Sequence, residues 1–107
     1  MATAECTVNK DREKVLADIV EECRKGRYPW EDGAWAFIYN ITETGDAALF
    51  HIAPDEIRQE IFRRIGRLRE DGHYRVRARG VVDEVDHTER MHRLVDLLDG
   101  AGLLGKA

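Results

Sequence analysis

Hydrophobic residues recur at helical spacing near the start of the chain. Four of them follow the i, i+3, i+4, i+7 pattern of a helix with one buried stripe: Leu16, Ile19, Val20 and Cys23. Asn9, just before this stretch, is a residue type favoured as an N-cap, and Gly26, just after it, is favoured where a helix ends. The pattern predicts a helix from about residue 10 to residue 25, preceded by a loose tail over residues 1–8.

A second helix is predicted to begin at Pro54. Proline is tolerated in the first turn of a helix, and the acidic residues Asp55 and Glu56 that follow it favour the positive end of the helix dipole. Its apolar stripe is Ile57, Ile61, Ile65 and Leu68. Gly72 is expected to end this helix.

A third helix is predicted from Asp86 to about Asp99. Asp86 and Glu89 have the three-residue spacing of a capping box. The apolar stripe of this helix is Met91, Leu94, Val95 and Leu98. After it, three glycines in residues 100–107 predict a second loose tail.

Three other segments alternate between apolar and polar or small residues, as strands do. Residues 34–42 and 47–52 are joined by a five-residue turn, residues 42–46, that contains Gly45, which predicts a β-hairpin. Residues 73–79 predict a third strand. In that strand one face carries Tyr74, Val76 and Ala78, and the other carries Arg75, Arg77 and Arg79.

The resulting order of elements is α-β-β-α-β-α. It predicts an α+β fold in which residues 1–107 form a single small domain, with a three-stranded sheet packed by helices. A right-handed crossover from the second strand through the central helix to the third strand would make this sheet mixed.

The composition of the chain limits the classes of protein to which it can belong. The chain has 107 residues, of which 43% are hydrophobic and 36% are charged, against about 25% charged in average domains. The uncharged, mainly apolar run Ala34–Tyr39 is far shorter than the ~20 residues of a membrane helix. With two cysteines and no basic-then-apolar leader pattern, we expect a cytoplasmic protein without a membrane partner.

Candidate catalytic chemistry is sparse. The chain contains no serine, which excludes serine nucleophiles from it, and Cys23 is predicted to be a buried, unreactive thiol because it lies on an apolar stripe. Glu84-x-x-His87 and Glu89-x-x-His92 each match a di-iron ligand motif, but they lie about 140° apart around one helix and cannot face one metal ion. We therefore predict a non-enzymatic protein without metal or cofactor.

Arginine is concentrated in one part of the chain. Residues 57–79 carry eight arginines, no lysine and three acidic residues, for a net charge of +5, whereas the whole chain has −4. The planar guanidinium group pairs well with carboxylates and phosphates. Two outcomes are open: the arginines face a partner, or the acidic segments on either side pair with them.

The leading hypothesis is a protein–protein interaction domain of the kind found in small inhibitors, immunity proteins or regulatory subunits. Its contact residues are predicted in an aromatic loop and on the arginine strand: Trp30, Glu31, Asp32, Arg75, Arg77 and Arg79. Large aromatics in loops are typical of binding sites, although Trp30 could instead cover one edge of the core.

The alternative hypothesis is nucleic-acid binding. It adds arginines of the preceding helix to the strand, and its residues are Arg63, Arg64, Arg67, Arg75, Arg77 and Arg79. The overall negative charge and the lack of aromatics interleaved with these arginines weaken it.

Overall fold

A computed structural model describes the backbone of residues 4–77 and 84–104, and the side chains of residues 10–77 and 84–104. The elements in chain order are α1 (Ala4–Arg24), α2 (Trp30–Thr44), a 3-10 helix (Ala47–Ile52), α3 (Asp55–Asp71), β1 (Arg75–Arg77), β2 (Glu84–Asp86) and α4 (Thr88–Gly100). Within these residues the chain forms one small, mostly helical α+β domain with a two-stranded antiparallel sheet. No helix among them is both long and apolar enough to cross a membrane.

Three of the helices are close to those expected from the sequence. Helix α3 spans Asp55–Asp71, follows Pro54 and ends at Gly72, which has a φ of 77°. Helix α4 begins two residues later than predicted, and its N-cap residue is His87 and not Asp86. The Asp86 side chain accepts a hydrogen bond from the Thr88 backbone N–H at 2.9 Å. The apolar stripes of both helices are buried in the core, apart from half-buried Val95.

The predicted tails are shorter than expected. Helix α1 begins at Ala4, so Asn9 lies inside the helix and is not its N-cap. After α4, Leu103 and Leu104 are half-buried against the core. Apolar packing therefore holds part of residues 100–107 in place, although the glycines of this segment predicted a loose tail.

The predicted hairpin is wrong, and its first strand is the central helix α2. Alternation fitted residues 34–42, but a helical stripe fits them as well: Ala34, Phe37, Ile38 and Ile41. All four are fully buried, because α1, α3 and α4 all pack against α2. The predicted second strand is the 3-10 helix, capped by Asp46, whose side chain accepts from the Ala48 N–H at 3.0 Å.

Gly33 is typical of a loop, but in this structure a glycine is needed at this position because of close packing. It lies in the first turn of α2 and not in a loop. A Cβ atom at this position would meet Cys23 Sγ at 2.9 Å and Ile57 Cδ1 at 3.3 Å. Glycine here thus allows α1 and α3 to approach the start of α2 closely.

The third predicted strand is confirmed over Arg75–Arg77, and residues 78 and 79 lie outside the described part of the chain. It pairs with β2, which the sequence did not predict. Val76 lies opposite Val85 in an antiparallel register, and the His87 N–H continues the pairing to the Tyr74 carbonyl at 2.8 Å. The sheet is thus antiparallel in the described residues and not a mixed three-stranded one.

Candidate functional site

Four aromatic rings meet where α2 faces one end of the antiparallel strand pair β1–β2, which we call the hairpin. Trp35 is at the centre, with ring centroids 5.9 Å from Tyr39, 5.9 Å from Tyr74 and 4.7 Å from His87. Tyr39 also lies 6.0 Å from His87, edge to face. We call these four residues the aromatic cluster. Tilted and edge-to-face pairs at these separations are favourable beyond the area that they bury.

Three arginines lie against these rings. The Arg64 guanidinium is 4.6 Å from the Trp35 ring centroid, and that of Arg90 is 4.2 Å from the Tyr39 centroid. A third, Arg67, is 5.0 Å from the Tyr74 centroid. The quadrupole of an aromatic ring attracts a cation over its face, so the rings and arginines hold each other in place.

Arg64 is the buried member of this group. It is only 5% exposed, and its Nη2 donates to the Glu31 carbonyl at 3.0 Å and lies 3.4 Å from Glu60 Oε2. Burial lowers the pKa of Arg64, although Tyr74 and Glu60 oppose this effect. Arg64 therefore links α3 to the start of α2 and packs against Trp35 of the aromatic cluster.

A cleft of about 550 Å³ opens beside the aromatic cluster, between α2, α4 and β2. Its apolar surface comes from Tyr39, which is 39% exposed, and from exposed Val85. Charged residues of both signs line it as well, including Glu43, Glu89 and Arg93. The cleft thus combines an aromatic surface with a mixed-charge rim.

Two arginines of α4 build the wall of the cleft. Arg90 donates to Thr42 Oγ1 at 2.6 Å and to Glu43 Oε2 at 3.0 Å. Arg93 Nε donates to the Thr42 carbonyl at 2.8 Å. Helix α2 has no basic residue in its last turn, so these two side chains supply the positive charge that its C-terminal end favours.

His87 joins the aromatic cluster to the cleft. Burial lowers its pKa, nearby Arg90 lowers it further, and Asp86 acts in the opposite direction. The pKa of Asp86 is itself lowered, first by its hydrogen bonds from Thr88 and to a smaller extent by Arg75. At neutral pH the cleft thus presents an uncharged imidazole beside an ionised carboxylate.

The three residues predicted in the aromatic loop lie in the first turn of α2. Trp30 is half-buried and packs against the core, which agrees with its reading as a cover for the core edge. Glu31 and Asp32 are exposed, and as acidic residues they suit the N-terminal end of a helix. Glu31 is linked to the aromatic cluster through the bond from Arg64 to its carbonyl.

The three helix arginines of the nucleic-acid hypothesis make contacts inside the chain. Arg63 pairs with Glu60, and that contact raises its pKa. Arg67 Nε lies 3.7 Å from Asp71 Oδ2, and Arg64 is buried. The acidic partners of Arg63 and Arg67 lie three or four residues away on α3 itself.

The strand arginines are exposed but face carboxylates across the hairpin. Arg75 is directly opposite Asp86, with 3.8 Å between Nε and Oδ2, and Arg77 is directly opposite Glu84. Cross-strand partners on one face of a sheet interact, so β2 partly neutralises this surface. Arg79 lies outside the described residues.

The structure also places the candidate chemical groups. Cys23 is a buried free thiol whose pKa is raised by burial and by Asp32. Thr42 Oγ1 is buried and donates to the Ile38 carbonyl at 2.8 Å. In residues 10–77 and 84–104 no group of three or more His, Cys, Asp or Glu side chains is placed to hold a metal ion.

Sequence reasoning missed Tyr39, His87, Arg90 and Arg93 as site residues. A helical reading of α2 would have placed Trp35 and Tyr39 one turn apart on one face. Arg90 and Arg93 are likewise three residues apart on α4. Both contact Thr42, which is about half the chain away in sequence, and no local sequence pattern predicts a contact between such distant residues.

Comparison of the chain with family models, with curated proteins and with solved structures found no match.

Proposed function

We propose that this chain is a non-enzymatic protein–protein interaction domain, acting as an inhibitor, an immunity protein or a regulatory subunit does, and that a partner binds at the cleft. The observation that carries the proposal is the position of Tyr39. This residue is 39% exposed and lines the cleft, and its ring is backed by Trp35 and His87. Of the predicted residues, Arg75 follows Tyr74 of the aromatic cluster in the chain, and the Glu31 carbonyl accepts a hydrogen bond from Arg64, which stacks on Trp35.

The composition of this surface supports a protein partner. Tyrosine, tryptophan and arginine are the residues most enriched at interface positions that dominate binding energy. Tyr39 sits on a helix and is held between Arg90 and the other rings, so little conformational freedom is lost when a partner covers it. A mixed-charge rim around an apolar centre is the usual anatomy of such interfaces.

The charge pattern favours protein over nucleic acid. A nucleic-acid strand needs several cations available for phosphate contacts. Here Arg63, Arg67 and Arg75 each have a carboxylate within 4 Å. Phosphates would have to displace these carboxylates, whereas a protein surface can pair with both signs of charge.

Site-specific photocrosslinking tests the proposal. A benzoyl-phenylalanine placed at Tyr39 should form an adduct with a specific protein in cells that express the chain. Phe62 on α3 is the matched control, because it is also an aromatic residue that is 39% exposed and it does not line the cleft. A probe at position 62 should not give the same adduct.

Two outcomes would overturn the proposal. One is the same set of adducts from positions 39 and 62, which would mean that the cleft has no specific partner. The other is an adduct at position 39 that is removed by nuclease, which would favour the nucleic-acid hypothesis. A variant with Arg75, Arg77 and Arg79 changed to Glu should lower the adduct yield only if the arginine strand belongs to the same interface.

A further inference from the structure

Helix α1 carries two apolar side chains, Val15 and Ile19, beside its buried stripe, and Ile19 is half-buried against the core. Its buried stripe, Leu16, Val20 and Cys23, faces the interior. Val15 and Ile19 lie one turn apart beside it, and Val15 is 53% exposed. Tyr28, in the loop after α1, is 38% exposed and closes the other side of this pair. Together they form a groove of about 330 Å³.

This convergence differs from the ordinary exposure of single apolar residues. Scattered surface leucines and valines are common and need no explanation. In this groove three apolar side chains from two segments of the chain line one concavity, and exposed surfaces of that kind mark interaction sites. The volume lies at the low end of the range for binding pockets, which suits one or two anchor side chains.

The charged residues of the groove are both acidic. Asp18 and Glu22 line it and are four residues apart on α1, where like charges repel each other. Glu22 already pairs with two cations of this chain, Lys25 Nζ at 3.9 Å and Arg27 Nη1 at 3.8 Å. Asp18 makes no ion pair within residues 10–77 and 84–104. A cationic ligand would therefore supply a partner for Asp18.

We propose that the groove is a docking site for a cationic amphipathic helix of a partner protein. The apolar side chains of that helix, at i and i+3 or i+4, would pack between Val15, Ile19 and Tyr28. A lysine or arginine residue beside that stripe would pair with Asp18. The proposal does not depend on the cleft, because no residue lines both surfaces.

Fluorescence anisotropy with designed peptides tests this assignment. The probe is a labelled helical peptide of roughly 16 residues with a leucine stripe flanked by lysines. A second peptide has glutamate in place of every lysine, and a third has alanine in place of every leucine. The full chain should bind the first peptide at least about tenfold more tightly than either of the others.

Matched variants of the chain separate docking from general attraction between opposite charges. Asp18→Lys should weaken binding of the lysine peptide by at least about tenfold, and Asp96→Lys, the same charge change at an exposed site on α4, by less than about twofold. Val15→Asn should also weaken it, and Val15→Thr, which keeps the shape, tests the same contact more gently. Circular dichroism establishes that each variant is folded.

Three results would overturn the proposal. Equal weakening by Asp18→Lys and Asp96→Lys would show that only net charge attracts the peptide. Equal binding of the lysine and glutamate peptides would remove the charge argument. Self-association of the chain that is lost in Val15→Asn, seen by sedimentation, would assign the groove to a second copy of this chain.

Discussion

Arg64 and Arg75 are the same residue type with opposite surroundings. Arg64 is 5% exposed, stacks on Trp35 and donates to the Glu31 carbonyl, a contact that spans α2 and α3. Arg75 has a side chain that is 52% exposed, and its nearest carboxylate oxygen, on Asp86, is 3.8 Å away. Both belong to the arginine-rich segment that the sequence marked as one feature.

The difference shows that the arginines of residues 57–77 have two roles: some make contacts inside the protein, and others remain on its surface. On α3, buried Arg64 stacks on Trp35 and donates to a backbone carbonyl, and exposed Arg67 stacks on Tyr74. The arginines on β1 face outward, where water screens their charge. A net charge of +5 in the sequence therefore overstates the charge that the surface offers to a partner.

The largest expected effect comes from removing the buried arginine. Arg64→Ala removes the hydrogen bond to the Glu31 carbonyl and the cation over the Trp35 ring, while Glu60 keeps Arg63 as its partner. We expect the free energy of unfolding to fall by about 2 kcal/mol, because a partly buried carbonyl loses a hydrogen bond from a charged donor. Urea denaturation measures this.

Arg69→Ala provides the control for this change, because Arg69 is exposed on the same helix. Its free energy of unfolding should stay within about 0.5 kcal/mol of the original. A similar decrease in the free energy of unfolding in both variants would show that the buried Arg64 contributes no more to stability than the exposed Arg69.

A smaller effect is expected from protonation of His87. Burial lowers its pKa in the folded chain, so between that value and the ordinary histidine pKa of about 6.5 the unfolded chain binds more protons. The stability that neutral His87 contributes is therefore fully present above pH 6.5 and is lost as the pH falls through the range below it. Thermal unfolding at a series of pH values should show Tm decreasing in this range.

The variant His87→Gln isolates this contribution from the other three histidines. The difference in Tm between the original chain and the variant should shrink as the pH falls from 7.5 to about 5. A difference that stays constant over this range would mean that His87 has the same pKa in both states.

The smallest effect is expected at the hairpin. Arg75→Ala removes a pair whose side chains are both more than half exposed. We expect a change in the free energy of unfolding of less than about 0.5 kcal/mol, and a smaller one at high salt. A double-mutant cycle with Asp86→Asn measures the coupling. A coupling as large as the effect of Arg64→Ala would contradict the contrast between the two arginines.

Much of the helical framework could be predicted because its signals are local. The stripe of α3, with Pro54 before it and Gly72 after it, predicted the bounds of that helix to within one residue. The outward-facing arginines of β1 followed from alternation alone, since Arg75 and Arg77 are exposed and Tyr74 is buried. The start and end of α2 were also marked, by acidic residues after Pro29 and by Gly45 with a φ of 73°.

The candidate site was only partly predictable. Trp30, Glu31 and Asp32 were placed in a loop, because Pro29 and Gly33 are typical of turns. The contacts that build the cleft, such as Arg90 to Glu43, join residues 47 apart in the chain. Local spacing carries no information on such pairs.

The sequence by itself determined where three helices lie, which of their faces are apolar, and that arginine is concentrated in one segment. These properties depend on neighbours within one or two turns of chain, and so periodicity reports them. The tertiary structure alone decided that residues 34–42 form a helix and that Arg64 is buried while Arg75 is exposed. The physical reason is that Trp35, Phe37, Tyr39 and Ile41 suit a strand or a helix equally well, and only burial of Ala34, Phe37, Ile38 and Ile41 against three other helices selects one of them.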